Sequence, residues 1–203
     1  MAQPAFAPSS QRNHDHDHIV LLQGVTWADF ERIREIRGEN ARPRLTYLEG
    51  TLELMTTSKP HEQLRSWLAR LVETWCLEND VDISAYGEWT QSKPGVERSA
   101  QPDECFVLGN DEHASRPDIA IEVVWTSGGI DKLDVYRKLD IPEVWIWQRG
   151  ALTVHVLRGQ RYQAVARSEL LPDLDLEQLV GFLDVHPMTQ AVKRYRAALA
   201  AGE

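Results

Sequence analysis

Gln101-Pro102-Asp103-Glu104-Cys105-Phe106-Val107-Leu108, followed after the loop 109–116 by Pro117-Asp118-Ile119-Ala120-Ile121-Glu122-Val123-Val124, decides how this chain is read. Both runs are apolar and β-type, and each is headed by Pro-Asp. If they form an antiparallel pair, symmetric pairing sets Leu108 opposite Pro117 and Asp103 opposite Glu122. Directly opposed residues share a face, with Cα atoms ~4.5–5.5 Å apart. Two like charges there repel unless a cation lies between them, and Mg²⁺ is held by one or two carboxylates with waters and phosphate oxygens. The spacing therefore predicts a metal site. Alternation adds that Ile119, Ile121 and Val123 share one strand face and Asp118, Ala120, Glu122 and Val124 the other, so Glu122 needs a partner. Periodicity alone leaves two readings open: metal ligand, or structural carboxylate that meets solvent or pairs with an Arg or Lys.

Working upstream, residues 60–79 carry Leu64, Trp67, Leu68, Leu71, Val72 and Trp75 at helical spacing. Residues 44–55 alternate around Glu49-Gly50 and predict a β-hairpin. Thr26 with Asp29 reads as a capping box opening a helix that ends at Gly38. Residues 1–18 lack periodicity and read as a disordered tail, although His14-Asp15-His16-Asp17-His18 offers imidazole and carboxylate ligands for a transition metal. The run 19–22 is too short to classify. Downstream, a helix over 130–139 follows Gly128-Gly129, strands follow at 143–147, 152–157 and 162–165, and helices return at 176–183 and 188–200. Arg149-Gly150 and Arg158-Gly159 suit tight turns. The element order predicts a mixed α/β (α+β) domain over 19–187, with a partly antiparallel central sheet flanked by helices, and a C-terminal helix over 188–203.

The 203 residues are 42% hydrophobic and 26% charged, which suits one globular domain. With 22 Lys+Arg against 31 Asp+Glu the net charge is −9, unfavourable for non-specific coating of nucleic acid. No apolar run approaches the ~20 residues of a membrane span. No basic segment precedes an apolar run at the N-terminus, and two cysteines make no disulfide framework, so the expected compartment is the cytoplasm.

Glu49-Gly50 in a hairpin, Pro60-His61-Glu62 opening a helix, Gln101-Pro102-Asp103, Pro117-Asp118 with Glu122-Val123, and a helix carrying Lys132 and Tyr136 together resemble the Uma-two restriction endonuclease family of the PD-(D/E)XK nuclease superfamily. The resemblance covers about residues 44–157. It implies a restriction-endonuclease-like core, Mg²⁺ (or Mn²⁺) as cofactor, DNA as substrate and a homodimer. Asp103 and Glu122 would be the metal-binding acids, with the backbone carbonyl of Val123 as a further ligand. Val124 stands where the superfamily pattern has Lys, and Lys132 on the following helix matches the position from which this family supplies it. Lys132 and Tyr136 are four apart and share a helix face. Glu62 and Asp118 are possible additional ligands. Each has a plainer role, Glu62 as an acidic residue at a helix N-terminus and Asp118 as a turn cap.

The implied chemistry is Mg²⁺-dependent hydrolysis of DNA phosphodiesters, with catalytic Asp103, Glu122 and Lys132. Two alternatives compete: a catalytically inactive nucleic-acid-binding or regulatory module, and a structural oligomer-forming protein. Val124 is the best support for the first. Basic residues expected near the cleft are few (Lys93, Arg98, Arg116, Lys132, Arg137), which predicts weak, salt-sensitive DNA binding. Of the seven tryptophans, Trp125 and Trp89 are the candidates for contacts at a cleft.

Overall fold

The computed structural model describes residues 15–39 and 42–201. The chain runs β1 (His18–Gln23), α1 (Trp27–Arg37), β2 (Arg44–Leu48), β3 (Thr51–Thr56), α2 (Lys59–Glu78), β4 (Ile83–Ala85), β5 (Gln91–Lys93), β6 (Arg98–Ala100), β7 (Glu104–Leu108), β8 (Ile119–Val124), α3 (Lys132–Lys138), β9 (Glu143–Gln148), β10 (Ala151–Arg158), β11 (Arg161–Val165), α4 (Leu176–Gly181) and α5 (Met188–Ala201).

These strands make two sheets. The mixed sheet expected from the element order is six-stranded, ordered β11-β10-β9-β8-β7-β4, with β8 and β9 parallel and the other pairs antiparallel. A second sheet, ordered β1-β3-β2-β6-β5, is antiparallel throughout. Two of its strands, β1 and β6, were not legible from periodicity, because β6 is only three residues long and β1 is exposed along most of its length.

The 2–2 hairpins form where Gly permits positive φ. Glu49 and Gly50 (φ 40° and 89°) turn β2 into β3, and Arg149 and Gly150 (φ 52° and 82°) turn β9 into β10. The capping box of α1 is present, with Thr26 Oγ1 accepting from the Asp29 N–H at 3.2 Å. Ser58 caps α2 by accepting from the His61 N–H.

Alternation along β8 sets the layers. Ile119, Ile121 and Val123 pack against Trp67, Leu68, Leu71, Val72 and Trp75 of α2 in the main core. On the opposite face, Ala120 packs with Val135, Tyr136 and Leu139 from α3 and its C-cap. A one-residue slip would drive Glu122 against α2 and expel three β-branched side chains, each worth ~1.5–3 kcal/mol of burial, so the register is strongly specified. In the antiparallel sheet, Leu45, Tyr47 and Leu52 pack on Phe30 of α1, which turns Arg44, Thr46 and Glu53 to the other face.

Of the segment read as a tail, residues 1–14 lie outside the described residues. Its last two residues are not tail: Asp17 is buried and His18 opens β1, because both find partners far along the chain. At the other end, α5 packs on α2 and places Tyr195 in the main core.

Candidate active site

The face of the antiparallel sheet that carries Arg44, Thr46 and Glu53 reaches Asp103 beside β8 and Lys132 in the first turn of α3. Here the β7–β8 register is the expected one, with Glu104↔Ile121, Cys105↔Ala120 and Phe106↔Ile119. One further step would put Asp103 opposite Glu122. The chain bends there instead. The Asp103 N–H donates to the Ile121 carbonyl at 3.1 Å, and its carboxylate folds over to accept from the Val123 N–H at 2.6 Å.

Asp103 is fully buried and bound on several sides. Arg44 Nη1 makes an ion pair with Oδ1, and His61 Nε2 lies 2.9 Å from the same oxygen. His61 is itself buried, with Nδ1 at 3.0 Å from Asp17 Oδ2, so a carboxylate faces each ring nitrogen. Burial opposes ionisation of Asp17, but the contact with His61 and the Ser58 N–H at 2.7 Å outweigh it and hold the carboxyl below its usual range. Arg44 continues to Glu88 at 2.5 Å and Glu62 at 3.6 Å, and Arg65 donates to the Asp103 carbonyl at 3.2 Å.

Glu122 sits differently. It lines a cavity of about 200 Å³ with Glu53, Lys132, Val123, Val124 and the 126–130 loop. Burial pushes its pKa up, Lys132 and the hydroxyl of Tyr136 pull it back, and the neighbouring Glu53 pushes it up again; the net direction is upward. Tyr136 donates to Glu122 Oε1, and burial and that carboxylate raise the phenol well above its ordinary range. Lys132 Nζ lies 2.7 Å from Glu53 Oε1 and also bonds Thr46. Lys132 and Tyr136 thus reach one site from one face of α3, as their spacing requires.

Glu53 is the residue that the sequence reading missed. It is 1% exposed, and its Oε2 accepts from the Ile130 N–H at 2.7 Å. A Cβ at Gly129 would overlap that oxygen, so glycine is needed for the carboxylate to come so close to the backbone. The available signal was Glu53 between Leu52 and Leu54, a charge on the hidden face of a hairpin. Nothing in its spacing tied it to Lys132, 79 residues away.

The remaining candidates are placed apart. Glu62 is in an ion-pair cluster with Arg42 and Arg65, at 2.6 and 2.8 Å, and does not line the cavity. Burial works against its charged form, yet hydrogen bonds from Thr57, Arg65 and Arg42 pull its pKa down to about 2. Asp118 accepts from the Leu108 N–H at 2.9 Å and closes the β7–β8 connection. Glu49 is an exposed turn residue paired with Arg98 at 2.8 Å. Lys93 pairs with Asp140 at 2.7 Å, and Arg137 with Asp134. Cys76 and Cys105 are buried, which pushes their thiols up to about 11 and about 12 and removes them as nucleophiles.

Among the described residues no group of three or more His, Cys, Asp or Glu is set to hold a metal ion. The donor chemistry that fits a hard divalent cation is the Glu53–Glu122 pair, where a buried carboxylate faces a second one across a cavity and a cation would relieve both. Asp103 joins that set only by releasing a contact it now makes.

The family model Uma2, described as "Putative restriction endonuclease", matches residues 27–186. No curated protein matches the chain. Among solved structures, a crystal structure from Anabaena variabilis ATCC 29413, described as "a putative nuclease belonging to DUF820", superposes with a TM-score of 0.52 at 15% identity. The match covers 78% of this chain and 99% of that one, and it shows a shared fold.

Proposed function

The chain belongs to the Uma2 family, and from that premise we propose that it is a Mg²⁺- or Mn²⁺-dependent endonuclease that hydrolyses DNA phosphodiesters. The observation that carries this reading is the convergence of Glu122, Glu53 and Lys132 on one cavity, beside the buried Asp103. Glu122 and Glu53 would hold the ion, with Asp103 and the Val123 carbonyl as further ligands. When bound, the ion would acidify a water and neutralise charge on the phosphate oxygens.

The chain's own groups do the rest. Lys132 replaces the absent motif lysine at Val124: its ammonium, held between Thr46 and Glu53, is placed to orient the water and oppose developing negative charge. Tyr136 fixes the rotamer of Glu122 through its hydroxyl. The Asp17–His61–Asp103 chain and Arg44 hold the Asp103 carboxyl in position. The surface cations Lys93 and Arg137 are paired with carboxylates, so substrate affinity is expected to be modest and to fall steeply with salt. As part of this reading the active species is a homodimer.

The test is cleavage of supercoiled and linear duplex DNA by purified protein in Mg²⁺ or Mn²⁺, with Glu122→Ala and Asp103→Ala checked for folding by circular dichroism. Metal-dependent nicking that both variants lose is the expected result. Absence of cleavage and of calorimetric Mn²⁺ binding by the wild type overturns the reading.

A further inference from the structure

Val124 lines two cavities at once. One is the acidic site; the other is a larger groove of about 590 Å³ between the N-terminal half of α2, the ends of β8 and β9, and the segment after α4. The groove is aromatic. Trp67 packs on His186 with ring centroids 4.6 Å apart, and Trp125 lies nearly parallel to Trp147 (11°, centroids 5.8 Å), leaving Trp125 38% exposed.

Two features point to an occupant. Trp125 is a large ring held in the open by a hydrogen bond from its Nε1 to the Asp15 carbonyl at 2.8 Å, so its presented face is positioned. Arg149, at the rim, is exposed and has no ion pair among the described residues, unlike Lys93 and Arg137. An apolar stacking surface and an exposed guanidinium suit a planar heterocycle that carries a phosphate.

We propose that this groove binds one unstacked nucleotide of the substrate strand, its base on Trp125 and its phosphate at Arg149. The shared residue Val124 lies two positions from Glu122, so an adjoining nucleotide would present its phosphodiester to the acidic site. The proposal rests on the nuclease reading and adds a substrate preference: strands that are single or locally unpaired bind better than uniform duplex, because extruding a base from a duplex costs unstacking.

The experiment measures anisotropy of a labelled single strand of about 15 nucleotides, and of its duplex, with the full-length protein in EDTA and in Ca²⁺. Variants are Trp125→Ala, Trp125→Phe and Arg149→Asn, the last chosen because Asn tolerates the positive φ of the turn. Trp125→Ala should weaken single-strand binding roughly tenfold or more, with Trp125→Phe restoring most of it. Arg149→Asn should lower the salt slope by about one. Wild-type protein that cleaves DNA while all three variants bind as it does overturns the groove and leaves the nuclease standing. Wild-type protein that neither binds nor cleaves overturns both.

Discussion

Asp103, at the bend before β7, bonds the residues on either side of Glu122 on β8, yet the surroundings of the two carboxyls are opposite. The Asp103 side is over-supplied with cations and donors: Arg44, His61 and the Val123 N–H converge on one carboxylate, and the ion-pair chain runs on to Glu62 and Glu88. The Glu122 side has fewer: Glu122 and Glu53 share one ammonium, a phenol and the Ile130 N–H around open space that Asp17 also lines. A saturated charge holds architecture, whereas an undersatisfied one beside a cavity is poised to bind something. The contrast sets an anchored carboxylate, Asp103, beside one that faces open space, Glu122.

The strongest way to break that contrast is Arg44→Met. Arg44 and Asp103 are both buried, so removing one partner leaves an uncompensated charge and should cost about 3–5 kcal/mol of stability in urea unfolding. A loss below ~1 kcal/mol would show that Asp103 is not held by this pair. Lys132→Ala comes next: turnover should fall roughly 10²- to 10³-fold while Mn²⁺ binding by calorimetry persists. Full activity in this variant would assign the role to another residue.

Gly129→Ala probes Glu53 without touching it. The added methyl displaces the Glu53 carboxylate from the Ile130 N–H, and Mn²⁺ affinity should drop about tenfold with the fold retained; unchanged affinity would remove Glu53 from the site.

Smallest in size, but sharpest as a comparison, are the pH slopes. Glu122 has its pKa raised in the fold, so its contribution to stability is complete below the ordinary 4.5 and is lost as pH rises through the raised value. Glu122→Gln should therefore abolish a loss of melting temperature that the wild type shows on raising pH. Glu62 has the opposite sign: lowered to about 2 in the fold, it stabilises above 4.5 and that stability is lost as pH falls toward 2. Because Glu62 is partly exposed, Glu62→Gln should cost under ~1 kcal/mol at neutral pH. Identical slopes for the two variants would erase the distinction between the regions.

Much of this fold is legible along the chain because its rules are short-ranged. The period-two alternation of 119–124 named both faces of β8, the loop 109–116 named the partner register, and Thr26, Pro60 and Gly150 named where elements start and turn. Where alternation had too few residues to act on, as in the three-residue β6, the strand was invisible.

The site divides in the same way. Sequence by itself determined the β7–β8 register up to Glu104 and Ile121 and that Lys132 and Tyr136 would share a helix face, since hydrogen-bond ladders and helical repeats carry such geometry over a few residues; the bend at Asp103 lay beyond it. Only the tertiary structure decided which charges neutralise which. Tertiary packing brought Arg44 and His61 to Asp103, and Glu53 to Lys132 and Glu122, across separations of 42 residues for His61 and Asp103 and 79 for Glu53 and Lys132. Electrostatic energy depends on distance in space and on exclusion of water, and neither is encoded in local spacing.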